Sequence, residues 1–417
     1  MSEEVRGIVL AAGKGERMKS CWPKLSHPLC GRPIICYPIE ILKKAGIKKI
    51  IVVVGYKKEL LFPYLKGTQI VVQKKLSGTG DALLAVEPSL PNFRGTLLVV
   101  SGDVPLIREE TLRKLLKEHR RTNAFATILV TVMENPSGYG RIFRSEDKQV
   151  IKICEETDLK EGEKIREVNS GIYCFQSPLV FGYLKKIKLN PHKKEYYLTD
   201  VIALGAERGE RISTFFADSQ EVLGINTRED LSRAEKIMRM RIMNEIMGKG
   251  VTIVDPENTY IEEGVKIGQD TIIFPFTIIE REVSIGKNCR IGPFCRIREK
   301  TVIADNVELG NFVELVRSKV GEFSKAKHLT YLGDTSVGRE VNIGAGTVVA
   351  NFDGKKKHKT VIAEKAFIGT GTILIAPVKV GREAITGAGA VVTKNSDVPP
   401  GKTVVGVPAR ILNKIGS

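Results

Sequence analysis

The sequence predicts an α/β domain with a Rossmann-like sheet, followed by a left-handed parallel β-helix of hexapeptide repeats. Two observations predict this fold class. Apolar strands alternate with helical patterns up to about residue 230, and from Ile267 onward an aliphatic residue recurs at six-residue intervals, often followed by glycine. The run Ile285, Ile291, Ile297, Ile303 and Leu309 keeps this interval without a break, which is typical of a hexapeptide β-helix. At 417 residues the chain is also too long for one compact core.

The first half carries the pattern of a mostly parallel sheet covered by helices. The predicted strands are Val5–Ala11, Lys49–Val54 and Leu97–Ser101, and the predicted helices are Ile34–Ala45, ending at Gly46, and Glu109–Arg120. Strands and helices that alternate in this way favour a parallel sheet with both faces covered. A charged, Met-rich helical segment follows. We therefore expect a first domain over residues 1–227, a linker helix over 228–250 and a prism over 251–417.

Composition limits the classes of protein that the chain can belong to. The net charge is +17 and 42% of the residues are hydrophobic, but no apolar stretch is long enough to span a bilayer. The polar N-terminus resembles no secretory signal, so we expect a cytoplasmic protein with no membrane partner. No helix-turn-helix or aromatic-interleaved basic motif appears, which argues against a nucleic-acid partner. The seven cysteines contain no C-x-x-C pair and are expected to be free, mostly buried thiols.

A glycine-rich turn follows the first predicted strand. Its sequence is Leu10-Ala11-Ala12-Gly13-Lys14-Gly15-Glu16-Arg17-Met18, and Pro23-Lys24 comes shortly after it. Placed after a strand, such a turn exposes backbone N–H groups that can bind an anion. Its spacing fits neither a P-loop nor the dinucleotide fingerprint. Arg17 and Lys24 would supply positive charge for a triphosphate.

A carboxylate ends the next predicted inner strand, in Ser101-Gly102-Asp103-Val104-Pro105. Taken alone, Asp103 is better explained as a helix N-cap for the segment after Pro105 than as a ligand. Together with the anion-binding turn at the same sheet edge, it favours a magnesium site. The carboxylate of Asp103 would suit Mg²⁺, which prefers oxygen donors.

These motifs, in this order, resemble the sugar-1-phosphate nucleotidyltransferase family. The resemblance implies catalytic roles for Arg17 and Lys24, a Mg²⁺ site formed by Asp103 and Asn226, and a set of substrate-binding residues. That set is Leu10, Ala11, Ala12, Gly13, Lys24, Gln73, Gly78, Thr79, Ser101, Gly102, Asp103, Gly140, Glu155, Asn169 and Asn226.

The second half contains a candidate acyl-transfer site. His328 lies in a hexad where a small residue would suffice, and the segment Phe352–Thr360 interrupts the six-residue interval as an active-site loop would. A neutral imidazole on a prism face can accept a proton from an attacking amine, although a lone histidine is more often structural.

With both halves in this order, the chain resembles the bacterial family of bifunctional glucosamine-1-phosphate N-acetyltransferases and N-acetylglucosamine-1-phosphate uridyltransferases. The resemblance implies that His328 is the general base and that acetyl-CoA is a co-substrate. It also implies a homotrimer, as is common for such prisms. The residues implied for the sugar phosphate are Arg298, Tyr331 and Asn342, and those implied for the coenzyme A groove are Ala345, Asn351, Phe352, Thr370 and Ala388.

The chain departs from the pattern of that family at a few positions. Val316 stands where the family has a phosphate-binding lysine, and strand alternation would point the adjacent Arg317 away from the site. Gly406 replaces a basic residue that often contacts coenzyme A, and Glu156 adds a second acid next to Glu155.

Two other functions are therefore kept open. One is a monofunctional sugar-1-phosphate nucleotidyltransferase whose prism serves only to form the trimer. The other is a binding protein with an inactive nucleotidyltransferase fold, against which the intact Arg17, Lys24, Asp103 and Asn226 argue.

Overall fold

A computed structural model of the chain describes residues 4–160 and 164–412 and divides into two compact units, Met1–Glu235 and Lys236–Ser417. The predicted domains also include residues 1–3, 161–163 and 413–417, which lie outside the described residues. In the described part of the chain, no helix has the length and apolar character needed to cross a membrane.

The first unit is an α/β sandwich. Its strands are β1 Val5–Ala11, β2 Pro28–Leu29, β3 Arg32–Pro33, β4 Lys49–Val54, β5 Gln69–Val72, β6 Gly95–Ser101, β7 Ala126–Val132, β8 Arg141–Arg144, β9 Val150–Cys154, β10 Glu167–Ser177 and β11 Ile212–Phe216. Its helices are α1 Cys36–Lys44, α2 Thr79–Leu84, α3 Glu109–Thr122, α4 Leu179–Leu184 and α5 Asp200–Glu207. A sixth helix, α6 Arg228–Met247, spans the division between the units.

The main sheet has the strand order β11-β7-β10-β6-β1-β4-β5. Strands β6, β1, β4 and β5 are parallel, as the alternation predicts, whereas β10 runs antiparallel to both β6 and β7. The central strands are buried on both faces, which explains their near-continuous runs of Val, Ile and Leu. Because the carboxyl ends of β1 and β6 lie side by side, the residues that follow them meet at one edge of the sheet.

The second unit is a prism of short parallel strands. They are β12 Thr252–Ile253, β13 Tyr260–Ile261, β14 Lys266–Ile267, β15 Ile272–Ile273, β16 Ile278–Ile279, β17 Ser284–Ile285, β18 Arg290–Ile291, β19 Arg296–Ile297, β20 Val302–Ile303, β21 Glu308–Val316, β22 Lys319–Val320, β23 Lys325–Gly333, β24 Thr335–Val337, β25 Asn342–Ile343, β26 Val348–Ala350, β27 Thr360–Ile362, β28 Phe367–Ile368, β29 Ile373–Ile375, β30 Val378–Val380, β31 Ile385–Thr386, β32 Val391–Val392, β33 Thr403–Val405 and β34 Arg410–Ile411. The strands β33 and β34 pair antiparallel.

Pairing between rungs confirms the predicted repeat. Ile272 pairs with Arg290, 18 residues on, so three hexads make one turn of the prism. The aliphatic residues of the predicted run point inward; Ile291 and Ile297, for example, are fully buried in a continuous core. Glycine follows several residues of the run, such as Ile291 and Leu309, where a neighbouring rung is too close for a side chain. A Cβ on Gly310 would lie 1.9 Å from the carbonyl oxygen of Lys327.

Spacing between rungs is not uniform. From Glu308 to Lys325 and from Lys325 to Asn342 the step is 17 residues, whereas from Asn342 to Phe367 it is 25. The long step accommodates the predicted insertion between Phe352 and Thr360. Because of the short steps, the inward and outward alternation of side chains along a strand does not continue through residues such as Arg317.

Seven thiols are present, and four of the cysteines that carry them are buried: Cys30, Cys174, Cys289 and Cys295. The thiols of Cys289 and Cys295 point into the prism, and burial raises the pKa of Cys295 to about 12. Both cysteines therefore fill the core of the prism and are not reactive thiols.

Candidate functional sites

The first candidate site lies at the carboxyl edge of the main sheet, where the turn after β1 meets the end of β6. The N–H of Gly102 donates to the carbonyl of Leu10 (2.9 Å), which joins the two segments. Gly15 has a left-handed φ of 68°, and a Cβ there would lie 2.5 Å from the Cβ of Lys24. The turn can therefore close over Lys24 only with glycine at this position.

The ammonium group of Lys24 is the centre of this site. Its Nζ donates to the carboxylate of Asp103 and to Oδ1 of Asn226 (3.0 Å), and Ser101 Oγ donates to the other oxygen of Asp103 (2.6 Å). Both Lys24 and Asp103 are mostly buried, at 13% and 19% side-chain exposure. Residues predicted from three distant segments thus converge on one point.

The ionisation of Asp103 reflects this environment. Burial alone raises the pKa of its carboxyl, but the charge and hydrogen bond of Lys24, together with the hydrogen bond from Ser101, outweigh burial and hold the pKa below its usual value. Asp103 is therefore a carboxylate at neutral pH. Its backbone is also used, since its carbonyl accepts the N–H of Ile225 (2.9 Å) and so fixes the loop that carries Asn226.

This donor set is suited to Mg²⁺. The oxygens of Asp103 and Asn226 already converge on one cation, the ammonium of Lys24. Within residues 4–160 and 164–412 no group of three His, Cys, Asp or Glu side chains could hold a metal by itself. Mg²⁺ needs no such group, because it commonly takes one or two protein oxygens and completes its coordination with water and substrate phosphates.

Arg17, the second predicted cation, lies in the same turn and is exposed. Among the described residues no hydrogen bond or ion pair holds its guanidinium group. Leu10, Ala11, Ala12 and Gly13 precede it, and a Cβ on Gly13 would meet nothing within 4 Å. The turn therefore leaves open space beside Gly13 at the sheet edge.

A second loop of this site contains Gln73, Gly78 and Thr79. Gln73 is buried and donates both amide hydrogens, to the carbonyl of Gly78 (3.0 Å) and to Asp81 (2.7 Å). Thr79 Oγ1 accepts the N–H of Leu198 (3.0 Å). Gly78 has a φ of 103°, and a Cβ there would lie 2.5 Å from the carbonyl of Tyr196, so the loop packs tightly on a neighbouring segment.

The third group of predicted residues, Gly140, Glu155 and Asn169, is held together by the antiparallel strand β10. A register shift between Asn169 and Tyr173 interrupts the pairing of β10 with β7. Asn169 donates its amide to the hydroxyl of Tyr173 (2.6 Å), and its backbone N–H donates to the carbonyl of Gly140 (2.9 Å). A Cβ on Gly140 would lie 3.5 Å from the carboxylate of Glu155.

Glu155 has the opposite electrostatic character to Asp103. Burial raises the pKa of its carboxyl, and the negative charges of Asp200, Asp158 and Glu195 raise it further, although the hydroxyl of Thr199 donates to it (2.9 Å). A partly buried acid with one donor can accept further hydrogen bonds from a neutral polyol such as a sugar.

Sequence reasoning missed Thr199 and Tyr139 as parts of this site. Thr199 is the donor to Glu155, and the Tyr139 hydroxyl accepts the N–H of Gly224 (3.1 Å) beside the Asn226 loop. Tyr139 directly precedes the predicted Gly140, but nothing in the sequence indicates its partner. The additional acid, Glu156, does not join Glu155: it accepts the N–H of Gly138 (2.7 Å) and so holds the same loop.

The second candidate site lies on the prism. His328 is exposed in β23, opposite Asn311 of β21, and no described side chain hydrogen-bonds to its imidazole ring. Pairing between successive rungs forms one column of residues, Ala326, Ile343, Ile368 and Thr386. Two positions after each of these come, in the same order, His328, Ala345, Thr370 and Ala388. Successive rungs lie about 4.8 Å apart, so these four residues form one column along the prism axis.

This column consists of small side chains next to a histidine. It continues to Gly406, which stands two positions after Val404, the partner of Thr386. The structure thus brings together three of the five residues predicted for coenzyme A, Ala345, Thr370 and Ala388, beside the predicted base. A run of small residues along one edge leaves room for an elongated ligand.

Arg298, Tyr331 and Asn351 lie on another ladder of strands. Arg298 directly follows β19, Tyr331 lies in β23, and Asn351 directly follows β26. In one face of the prism β21 pairs with both β19 and β23, and β23 pairs with β26. Arg298 donates to Glu314 (3.1 Å), and its Nε is buried without a hydrogen-bond partner. Asn342 begins β25, which pairs with the first residues of β23, before the corner that contains His328. A single prism therefore does not place Asn342 beside Arg298.

The insertion after Asn351 is an ordered hairpin. Asp353 accepts the backbone N–H groups of Lys355 (2.9 Å) and Lys356 (2.7 Å) and pairs with His358 Nε2 (2.6 Å). These bonds hold the pKa of Asp353 well below its usual range. Phe352 at the base of the hairpin is 58% exposed.

Comparison with known proteins identifies families for both halves of the chain. The nucleotidyl transferase family matches residues 6–230, and the bacterial transferase hexapeptide family matches residues 258–299 and 282–317. The chain is 40% identical over 416 residues to the bifunctional protein GlmU of Pelobacter propionicus, covering 90% of each chain. It is 41% identical over 412 residues to the GlmU of Pelotomaculum thermopropionicum, again covering 90% of each.

A third relative is the GlmU of Carboxydothermus hydrogenoformans, which is 42% identical over 411 residues and covers 90% of this chain and 92% of that one. These similarities extend through both units. The resemblance inferred from the motifs is confirmed, and so is the predicted fold class.

Proposed function

The chain belongs to the family of bifunctional GlmU proteins, and we propose that it transfers an acetyl group from acetyl-CoA to glucosamine-1-phosphate and then a uridylyl group from UTP to the resulting N-acetylglucosamine-1-phosphate. The products are UDP-N-acetylglucosamine, pyrophosphate and free coenzyme A. The observation that carries this proposal is that the similarity, 40% identity across 90% of the chain, covers both candidate sites.

In the uridylyl site the sugar phosphate attacks the α-phosphorus of UTP and pyrophosphate leaves. Positioning and charge neutralisation carry such a reaction. Lys24 and Arg17 neutralise the phosphates, and Glu155 and Asn169 bind the sugar hydroxyls. Asp103 and Asn226 would hold Mg²⁺, which supplies charge neutralisation on the phosphate oxygens when bound.

In the acetyl site His328 accepts a proton from the amine of glucosamine-1-phosphate as the amine attacks the thioester carbonyl. A C–N bond forms, the C–S bond breaks, and the proton passes from His328 to the departing thiolate. Small residues of the column Ala345, Thr370 and Ala388 accommodate coenzyme A, while Arg298, Tyr331 and Asn342 bind the sugar phosphate.

A homotrimer is proposed for the prism. Phe276, Phe294 and Phe312 stack along one corner, with centroids 4.9 and 5.1 Å apart, and each ring is 45–57% exposed. A stacked aromatic ladder of this kind needs a covering partner. The separation of Asn342 from Arg298 on one prism supports a site that is completed by a neighbouring chain.

Pyrophosphate release from UTP and N-acetylglucosamine-1-phosphate tests the uridylyl assignment, since full activity in excess EDTA would contradict the magnesium site. Light scattering tests the trimer, and a mass near the 46.0 kDa of one chain would contradict it. A chain that releases pyrophosphate but transfers no acetyl group would instead be the monofunctional nucleotidyltransferase. A cytoplasmic location belongs to the same proposal.

A further inference from the structure

The corner of the prism after Val316 is one residue shorter than the corner below it. Ile297 and Ile303 are six positions apart, whereas their partners on the next rung, Leu315 and Val320, are five apart. The next rung is shortened in the same way. Arg317 and Asp334 occupy the two shortened corners, and both have a left-handed φ, of 48° and 51°. Strand alternation therefore does not decide where these side chains point.

Arg317 is fully engaged by carboxylates. Its Nε and Nη2 donate to the two oxygens of Asp334, at 2.7 and 2.9 Å, and its Nη1 lies 3.4 Å from an oxygen of Glu299. The pair is mostly buried, with 25% of the Arg317 side chain and 15% of the Asp334 side chain exposed. Bidentate pairing of this kind fixes both partners in one geometry. A substrate phosphate would have to displace two carboxylates to reach this guanidinium.

The same carboxylate of Asp334 orients Asn351. Asn351 Nδ2 donates to Asp334 Oδ2 at 2.6 Å, and the Asn351 side chain is buried. Because an ionised carboxylate only accepts hydrogen bonds, the amide nitrogen of Asn351 must face Asp334, and its carbonyl oxygen is left as the free acceptor. The Asn351 backbone carbonyl also accepts the N–H of His358 (2.7 Å), which ties the hairpin to the same corner.

Gly333 shows how closely this corner is packed against Tyr331. A Cβ on Gly333 would lie 2.5 Å from Asn351 Nδ2 and 2.7 Å from the Tyr331 hydroxyl. Two residues assigned to different substrates, Tyr331 and Asn351, thus meet above Val316, which pairs with Gly333. A rotation of the Asn351 side-chain amide would therefore change its packing against Tyr331.

We propose that Arg317 is a positioning residue for acetyl transfer, which holds Asp334 and through it fixes the amide orientation of Asn351, and that it does not bind the sugar phosphate. This inference rests on the proposed acetyltransferase function and on the assignment of Asn351 to the coenzyme A groove. This role gives a reason for the arginine next to Val316, although the phosphate-binding lysine of the family is absent at position 316.

The test is the kinetics of Arg317→Gln compared with Arg382→Gln, a control that removes an ion-paired arginine elsewhere on the prism, 3.2 Å from Glu364. We expect Arg317→Gln to raise the KM for acetyl-CoA about tenfold or more, as misplaced contacting groups commonly do, with the KM for glucosamine-1-phosphate unchanged. Arg382→Gln should change neither. A rise confined to the KM for glucosamine-1-phosphate would overturn the inference, because it would make Arg317 a phosphate ligand.

A double-mutant cycle supplies the second readout. If Arg317 acts only through Asp334, Arg317→Gln should cause no further rise in the KM for acetyl-CoA in an Asp334→Ala background. Additive effects would contradict the inference. Uridylyl turnover and light scattering check that each variant is folded, and Arg317→Lys, which keeps the charge but not the bidentate geometry, replaces Arg317→Gln if the latter does not fold. No acetyl transfer by the wild-type chain would refute the proposed function itself, whereas an active wild type with an unaltered Arg317→Gln would refute only the role of Arg317.

Discussion

Replacing Asp103 by asparagine tests the chemistry of the uridylyl site. The change keeps the size of the side chain and one acceptor oxygen but removes the negative charge that pairs with Lys24 and that would hold Mg²⁺. Asp103 is only 19% exposed, so solvent screens this charge weakly. Loss of one preorganised charge contact in such a site raises the barrier by about 3–4 kcal/mol, which corresponds to a roughly 10²- to 10³-fold lower kcat/KM.

The assay is pyrophosphate release from UTP, with acetyl transfer by the same preparation as an internal reference. Asp147→Asn, the same change at an exposed position of the first unit, is the matched control and should retain full activity. Ser101→Ala removes only the 2.6 Å hydrogen bond to Asp103 and should cost about tenfold or less. Uridylyl turnover by Asp103→Asn within a few-fold of wild type would contradict the role assigned to Asp103 in the uridylyl site, and so would an equal loss of acetyl transfer.

Three further changes give distinct outcomes. His328→Ala should abolish most acetyl transfer and leave UTP turnover intact, because His328 belongs to the other unit; equal loss of both activities would point to misfolding. Val316→Lys should lower the KM for glucosamine-1-phosphate about 10- to 100-fold if a charge-assisted contact is missing there, and should leave the KM for acetyl-CoA alone; an unchanged constant would show that Arg298 already fills this role. Glu155→Gln should weaken binding of the sugar phosphate and yet stabilise the first unit in thermal denaturation at neutral pH. The folded-state pKa of Glu155 lies above its usual value, so ionisation of this residue costs stability as pH rises, and the stabilising effect of Glu155→Gln should shrink as pH falls towards 4; a stabilisation that grows at low pH would contradict the assigned cause.

Local patterns were sufficient to predict much of the fold. The predicted strand Val5–Ala11 and helix Arg228–Met247 have those bounds in the structure, and the hexapeptide interval predicted which isoleucines are buried. The helix predicted over Ile34–Ala45 begins at Cys36, because Ile34 and Ile35 are buried in the turn that precedes it. The antiparallel direction of β10 was not predictable, since apolar alternation carries no information about pairing direction.

The sequence predicted which residues belong to the sites but not which of them form hydrogen bonds with one another. Lys24 and Asp103 were visible in motifs and Asn226 was implied by the family resemblance, yet the bond between Lys24 and Asn226 joins residues 202 positions apart. On the prism, the expectation that Arg317 points away from the site followed from ideal alternation. One residue fewer in the corner is enough to remove that constraint, and only the rung pairing reveals it.

One coupled assay addresses the bifunctional assignment most directly. The purified chain would be given glucosamine-1-phosphate, acetyl-CoA, UTP and Mg²⁺, with free thiol and pyrophosphate followed together. We expect that thiol appears first, that pyrophosphate follows in at most equal amount, and that UDP-N-acetylglucosamine accumulates only when acetyl-CoA is present. Pyrophosphate release without any thiol, with N-acetylglucosamine-1-phosphate accepted as the only sugar substrate, would contradict the claim that one chain carries both activities.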